Sequence, residues 1–375
     1  LTYGGSGGGG PPRLPDPGWP NGNKTQDFAV SLTKVAGRHT YKAGFYNNHS
    51  FKAQNVAVGG APATFQGNIN FSNSSNNPLD TGFTYANVVT GVFSSYAQSS
   101  KLIEGSMLYN NTEAYIQDNW KVSSRLTLDY GMRFTRQQPQ YDQFNQMTNF
   151  FPTEWSRANA PVLYVAGCNN GAATCSGNAR NAMDPRTGVI LTAPGANNTS
   201  AAIGTVIPGT GSVTNGIKVA GQGISKYSYN WPTMVLAPRV GAAYDLRGDQ
   251  KVVIRGSAGL FYDRPDGNTV FGTPGNPPIA SAVSLSNSQL QTLGKGLSTQ
   301  GTSSMVVFQY DAKVPSSVQW NGGVQMALPW SSSLDVSYVG NYGYNRLSGL
   351  QGGNTVNLNS IDLGAAYLPA NQDPT

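Results

Sequence analysis

Apolar and polar side chains alternate along much of this chain, which predicts β-strands with two unlike faces. Alternation at every second residue is the period of a strand, and two such stretches joined by a few residues form a hairpin. Four hairpins are predicted, with connections at 36–38, 123–124, 247–250 and 329–332. Their strands cover 28–33 with 39–47, 106–122 with 125–136, 239–246 with 251–262, and 317–328 with 333–341. The pattern therefore predicts an all-β, antiparallel fold.

Long polar segments separate the four hairpins. Residues 48–105, 137–237 and 263–316 are rich in Asn, Ser, Gly, Thr and Pro, and within them we expect a short helix over 85–93. Loops of this length are uncommon in compact soluble domains. In outer-membrane β-barrels, however, short periplasmic turns alternate with long extracellular loops. We therefore expect a transmembrane β-barrel with these three segments outside the cell; the alternation alone fits a soluble sheet with one wet face equally well.

Composition narrows the class further. Of 375 residues only 11% are charged, while Gly and Pro number 46 and 23, which disfavours a helical enzyme. The mean hydropathy of −0.32 and the absence of a long apolar run exclude a helical membrane protein. The net charge of +6 is spread without a Lys/Arg cluster, so we expect no nucleic-acid partner. Residues 1–24 are rich in Gly and Pro and predict a linker or loop ahead of a barrel domain over 25–375.

Few residues carry recognisable chemistry. His39 and His49 flank one predicted strand without a cluster of Cys or acidic residues, so we expect exposed strand-end or loop residues rather than a metal site. No Walker A motif and no nucleophile elbow is present, and we predict no enzyme activity and no cofactor. Cys168 and Cys175 predict a disulfide that closes a small loop in an oxidising compartment, with two unpaired thiols as the alternative.

The hairpins also carry more specific sequence. Residues 115–122 read YIQDNWKV and 125–134 read RLTLDYGMRF, and together they resemble a hairpin typical of TonB-dependent receptor barrels. Four later segments resemble further hairpins of the same barrel: 238–245 (PRVGAAYD), 255–264 (RGSAGLFYDR), 319–325 (QWNGGVQ) and 335–341 (DVSYVGN). With 42–54, these segments are similar to Oar-like receptors of acidobacterial outer membranes, and the matches follow in order over most of 28–370.

The resemblance implies a barrel of about 22 strands whose lumen holds a plug. Eight strands are readable here, and an open sheet of eight leaves two unpaired edges that a bilayer does not tolerate. We therefore interpret the chain, which starts at Leu1, as a barrel fragment or processed piece without its plug and TonB box. The implied partners are outer-membrane lipid and the TonB energy-coupling complex, the latter through N-terminal parts that are not seen.

Seven polar residues in or next to the predicted strands are candidates for the lumen surface. They are Asp129, Arg133, Arg255, Asp263, Gln319, Asn321 and Gln325. Contact with the plug or a solute is one interpretation of these side chains, and an ion-pair network within the barrel wall is the other.

Three functions remain open at this point. The first is TonB-dependent uptake of a glycan fragment, a peptide or a metal chelate, and nothing in the loops identifies the solute. The second is a surface or adhesion barrel of the outer membrane without active transport. The third and least favoured is a secreted β-protein that binds carbohydrate.

Overall fold

Eight long antiparallel strands dominate the fold. The computed structural model of the chain describes residues 2–4, 21–56, 68–193, 196–291, 297–299, 305–347 and 357–372. The strands are β1 (Asn21–Ala36), β2 (His39–Asn55), β3 (Glu104–Lys121), β4 (Leu126–Gln137), β5 (Val235–Asp245), β6 (Val252–Tyr262), β7 (Ser316–Leu328) and β8 (Ser332–Tyr344). Their order across the sheet is their order along the chain, which confirms the four predicted hairpins.

The sheet has two unlike ends. Short connections close one end, which we call the turn end; there Gly37 takes the positive φ of 58° that a two-residue hairpin turn requires. The three long segments leave the opposite end, which we call the loop end. Among the described residues the sheet is open, because β1 pairs only with β2 and β8 only with β7. The size of a complete barrel is therefore not fixed by these strands.

Several predicted boundaries differ from the structure. β2 continues to Asn55, so the first eight residues of the predicted loop 48–105 belong to a strand of 17 residues. Their polar side chains obscured the alternation, but the backbone ladder to β3 continues as far as Asn55 and Glu104. β1 begins at Asn21, inside the predicted linker 1–24, and Thr2–Gly4 forms a short strand. Residues 5–20 lie outside the described residues.

The long loops contain secondary structure of their own. The N-terminal strand joins the first and third loops in one sheet, with the order Thr2–Gly4, Asn68–Asn70, Val92–Ser99, Ala282–Gln289 and Leu297–Thr299. The second loop holds Thr148–Phe150 with Ile217–Ala220 and Gly223–Ile224, the pair Val165–Cys168 and Arg180–Met183, and Tyr141–Asp142 added to β3. Two short α-helices are Thr84–Thr90 and Gly267–Val270. Short 3₁₀ turns are Pro152–Glu154, Arg157–Asn159, Gly177–Ala179, Ser200–Ala202, Ala365–Tyr367 and Pro369–Asn371.

The helix expected over 85–93 is present but ends earlier. Thr84–Thr90 is helical, and Gly91 at φ 73° ends the helix in the left-handed conformation that glycine adopts without strain. Val92 and Phe93 are buried and begin a strand, so pairing with Ala282–Gln289 overrides the local helical pattern. No helix in the described part of the chain is long and apolar enough to cross a membrane.

The largest buried apolar cluster lies at the loop end and joins all three loops. Val56 and Ile103 come from the first loop, Met147 from the second, and Val270 and Phe271 from the third. Hydrogen bonds tie the loops together as well: the Asn198 amide donates to Asn76 over 2.8 Å, and the Ser74 hydroxyl donates to Asn287 over 2.8 Å. The loops therefore form one folded cap over the loop end of the sheet.

Candidate functional site on the polar face of the sheet

The strand register places apolar side chains of all eight strands on one face of the sheet, which we call the apolar face. One row across it runs through Phe45, Ala114, Phe134 and Leu236. Another runs through Tyr244, Ile254, Val324 and Val336. Because directly paired residues point to the same side of a sheet, the alternation in each strand adds up to one continuous surface.

This apolar face is exposed. Val30, Ile116, Val240 and Val336 are 55%, 57%, 58% and 60% exposed. In a soluble sheet such side chains pack against a core, whereas the buried apolar clusters of the described residues lie in the loops and at the loop end. An exposed apolar surface of this extent is suited to lipid. The structure thus disfavours the soluble sheet left open by the alternation.

The dimensions of the apolar face also suit a membrane. On β6 the apolar-face residues run from Val252 to Tyr262, a span of ten steps. At about 3.3 Å per residue this is about 33 Å along the strand, and a tilt of about 40° reduces it to about 25 Å along the normal. The apolar band of outer-membrane barrels is about 25 Å tall.

The opposite face, which we call the polar face, carries six of the seven predicted lumen residues. By register these six are Asp129, Arg133, Arg255, Gln319, Asn321 and Gln325. The seventh, Asp263, follows the last residue of β6 at the loop end, where its backbone N–H donates to the carbonyl of Pro315. The six strand residues therefore share one surface, and that this surface lines a lumen remains a prediction.

Cross-strand hydrogen bonds connect several of these side chains. The Asn119 amide donates to Asp129 over 2.9 Å, and the Asn321 amide donates to Ser257 over 2.8 Å. Arg255 donates to Gln325 on the neighbouring strand. These contacts are hydrogen bonds between neighbouring strands, not the ion pairs of the second interpretation above.

Charge is concentrated near the loop end of the polar face. Arg133 donates to Glu113 over 2.5 Å, and its guanidinium lies 5.8 Å from the ring centroid of Tyr115. Arg239, on the next strand, interacts electrostatically with both charges and stacks over Phe261 at 4.6 Å. The two guanidinium groups share one paired carboxylate, so this part of the surface is left positively charged.

Arg264 adds a third guanidinium to this cluster. It lies just beyond β6, stacks over the Tyr109 ring at 4.3 Å and donates to Asn111. Its Nε and Nη1 atoms are buried and have no hydrogen-bond partner among the described residues. Burial lowers the pKa of the Arg264 guanidinium, although Asp263 and Glu113 act in the opposite direction. Two donor atoms of Arg264 are thus buried and unpaired beside a polar surface.

The second loop covers this cluster. Tyr229 is buried and donates to Gln140, whose amide in turn donates to the carbonyl of Pro265 over 2.8 Å. Burial raises the pKa of Tyr229, so its hydroxyl stays protonated and remains a donor. Trp231 packs on Tyr229 with ring centroids 4.4 Å apart. The segment that follows β6 is therefore held between the sheet and the second loop.

In the first loop, Asp80 organises the turn before the helix Thr84–Thr90. Burial raises the pKa of Asp80, but hydrogen bonds from the backbone N–H groups of Ser74 and Gly82 and from the Asn87 amide outweigh it. The net pKa is therefore below its ordinary value, and the carboxylate stabilises the loop in its charged form.

The two histidines lie on the apolar face and are half-buried, contrary to the exposed positions expected. His39 begins β2, bonds Asp118 through Nδ1 at 2.7 Å, and stacks against Trp120 with ring centroids 5.4 Å apart. His49 lies within β2, not in a loop, and its Nδ1 is 2.8 Å from Oδ1 of Asn110. The described residues contain no group of three or more His, Cys, Asp or Glu placed to hold a metal.

The structure joins Cys168 and Cys175 by a disulfide. Their Cα atoms are 5.8 Å apart and seven positions separate them in sequence. Cys168 ends the strand Val165–Cys168, which pairs with Arg180–Met183, so the bond lies in the loop of that small hairpin. It constrains the second loop and does not touch the sheet.

Sequence reasoning missed Glu113, Arg239 and Arg264. Glu113 and Arg239 lie within the predicted strands 106–122 and 239–246. Their pairing with Tyr46 and Gly131 places both on the polar face. Their alternation with apolar neighbours is a signal that could have identified them. Arg264 had no such signal, because its position depends on how the third loop folds back over β3.

A comparison with known protein families identifies the class to which this chain belongs. The model of a family described as outer membrane beta barrel domain matches residues 4–373. Among solved structures, the chain is similar to copper transporter OprC at 9% sequence identity and a TM-score of 0.33, covering 87% of this chain and 39% of that chain. No curated protein matches. Because the family model spans nearly the whole chain, the protein belongs to the outer membrane beta barrel domain family and is located in the outer membrane.

Proposed function

We propose that this chain forms part of the wall and the outer cap of a transporter that takes up a solute across the outer membrane. The observation that supports this most directly is the contrast between the two faces of one sheet. The apolar face suits lipid, while the polar face gathers Glu113, Arg133, Arg239 and Arg264 at its loop end. A charged surface can bind or guide a polar solute, whereas anchoring of the sheet in lipid does not require one.

The finer proposal is TonB-dependent uptake by an Oar-like receptor. Its support is the ordered sequence resemblance, whose segments lie on β2 to β8. In this class the complete barrel has about 22 strands and a plug. The short turns would then be periplasmic, and the folded loops extracellular. The TonB complex would supply energy by acting on the plug.

The solute classes under consideration are a glycan fragment, a peptide and a metal chelate. Three guanidinium groups face two carboxylates, Glu113 and Asp263, in the cluster described above. The excess of positive charge favours the anionic members of each class, because guanidinium groups bind carboxylates and phosphates through paired hydrogen bonds.

Uptake by cells with and without the gene tests the proposal. The probes are ferric citrate, an acidic oligopeptide and a neutral gluco-oligosaccharide, each with and without a protonophore. We expect gene-dependent, protonophore-sensitive accumulation of at least one anionic probe. Accumulation should fall in Arg239→Gln and persist in Lys34→Gln, which removes a cation from the apolar face of β1.

A surface barrel without transport predicts a different result. The folded cap of three loops is the observation that favours this second function, since it presents an ordered surface outside the sheet. Adhesion of cells that depends on the gene, without accumulation of any probe, would support it over transport.

A further inference from the structure

Two polar rows interrupt the apolar face of β2, β3 and β4 near the loop end, and the apolar pair Phe51 and Leu108 lies beyond them. The apolar row on the turn side consists of Phe45, Ala114 and Phe134. The next row towards the loop end consists of Asn47, Thr112 and Arg136, and the row after it of His49, Asn110 and Gln138. β2 and β3 continue past this level, so the side chains change while the backbone ladder does not.

A cavity of about 160 Å³ lies at this level. Its lining residues all belong to the two polar rows: Asn47, Asn110, Thr112, Arg136 and Gln138. On the expected sidedness, with the long loops outside, the cavity opens towards the lipid at the height of the outer head groups.

Four of the lining side chains are held in place by hydrogen bonds. The Thr112 hydroxyl donates to Asn47 over 3.0 Å, and the Asn110 amide donates to Gln138 over 2.8 Å. Gln138 in turn donates to the hydroxyl of Tyr227 over 3.1 Å. The amide and hydroxyl groups therefore form a fixed lining before any ligand arrives.

Arg136 is the exception. It is exposed, and among the described residues it has neither an ion pair nor a hydrogen bond. No carboxylate lines the cavity. A guanidinium presents planar, paired N–H donors that match the oxygens of a phosphate. The cavity thus offers one uncompensated positive charge beside a fixed polar lining.

We propose that this cavity binds the phosphate-bearing head group of a lipid in the outer leaflet of the outer membrane. Arg136 binds the phosphate, and the Asn, Thr and Gln side chains bind neighbouring hydroxyl or amide groups of the head group. The acyl chains then lie along Phe45 and Phe134, which are 39% and 37% exposed in the adjacent row. A free phosphate would contact Arg136 but not the apolar side chains of Phe45 and Phe134. A cationic site beside an apolar surface therefore matches a ligand with both a phosphate and acyl chains.

The site can be tested by measuring the lipid that stays bound when the protein is purified from outer membranes in a mild detergent. Mass spectrometry gives the amount of phosphorylated saccharolipid per protein. We expect Arg136→Gln to lower this amount about tenfold, the effect of losing a hydrogen bond to a charged group. Lys34→Gln is the matched control, because it removes a cation from the same face near the turn end and should leave the amount unchanged.

The unaltered protein in nanodiscs provides a test that needs no variant. Diphosphorylated lipid A should bind at least tenfold more tightly than its dephosphorylated form, with inorganic phosphate weaker than both. The proposal would be overturned if the two lipids bound equally tightly, or if Arg136→Gln retained as much lipid as the unaltered protein. Loss of lipid from Lys34→Gln but not from Arg136→Gln would also overturn it. Inorganic phosphate binding as tightly as lipid A would overturn the assignment of a lipid as ligand.

Discussion

Ala258 and Ser257 provide a matched test of the two faces of the sheet. They are neighbours on β6, and both are small and exposed. Ala258 pairs with Val240 on the apolar face, and Ser257 pairs with Gly241 on the polar face. Placing an Arg at either position introduces the same charge and a similar volume, so that a difference between the two variants reports what each face contacts.

The expected difference follows from the surroundings of each side chain. Ala258 lies near the middle of β6, where an Arg that faces lipid costs about 2–4 kcal/mol. Ser257→Arg loses the hydrogen bond that Asn321 donates over 2.8 Å, which contributes about 1 kcal/mol. We therefore expect Ala258→Arg to be the more destabilising by about 1–3 kcal/mol, or about 5- to 150-fold in the folding equilibrium.

Two measurements check this prediction. Urea titration of the barrel in lipid vesicles gives the free energy of unfolding of each variant. A fluorophore at position 258 should be quenched by a lipid-soluble quencher, while one at 257 should be spared. The second measurement is needed because an Arg in a protein core would also be destabilising.

Equal losses of stability at the two positions, or a larger loss for Ser257→Arg, would refute the assignment of the faces. So would equal quenching at 257 and 258. A slip of one residue in the register would exchange the two results, because every side chain of the strand would change face.

Three further predictions concern the loops and their orientation. Alkylation followed by mass spectrometry should find Cys168 and Cys175 unreactive until reduction, and replacing both with Ser should destabilise the second loop by about 2–3 kcal/mol without affecting the sheet. Asp80 has a lowered pKa, so its stabilising effect is complete above the ordinary value of 3.8 and is lost as the pH falls through the lowered value; the protection factors for amide hydrogen exchange in 72–91, corrected for the intrinsic exchange rate at each pH, should therefore fall at acidic pH, and Asp80→Asn should abolish that dependence. A membrane-impermeant thiol reagent should label a Cys at Thr187 on intact cells but not one at Ser124, and the reverse pattern would invert the expected orientation.

The four hairpins could be predicted from the sequence because their determinants are local. In β4, Leu128, Tyr130 and Met132 alternate with polar residues, and the turn before the strand is short. The same alternation identified most of the polar-face candidates, including Asp129 and Arg133. Such information is contained in neighbouring residues, and no distant contact is needed to read it.

The loops could not be predicted in the same way. Asn68–Asn70 and Val92–Ser99 form strands because they pair with each other, and Ala282–Gln289 extends the same sheet from almost 200 residues away. Arg264 joins the charged cluster only because the third loop returns over Tyr109 and Asn111. Contacts of this kind depend on tertiary packing, which leaves no periodic pattern in either segment.

Alternation identifies the face of a side chain but not its height in the membrane. Asp118 and Arg136 are both polar residues at positions of the apolar face. The register separates them: Asp118 pairs with Tyr130 within the apolar face, whereas Arg136 pairs with Thr112 beyond the row of Phe45 and Phe134. Read from the sequence, each is an interruption of the pattern. In the structure the Asp118 carboxylate is hydrogen-bonded by the Tyr130 hydroxyl and by His39, which stabilises it beside lipid, whereas Arg136 lies past that apolar row.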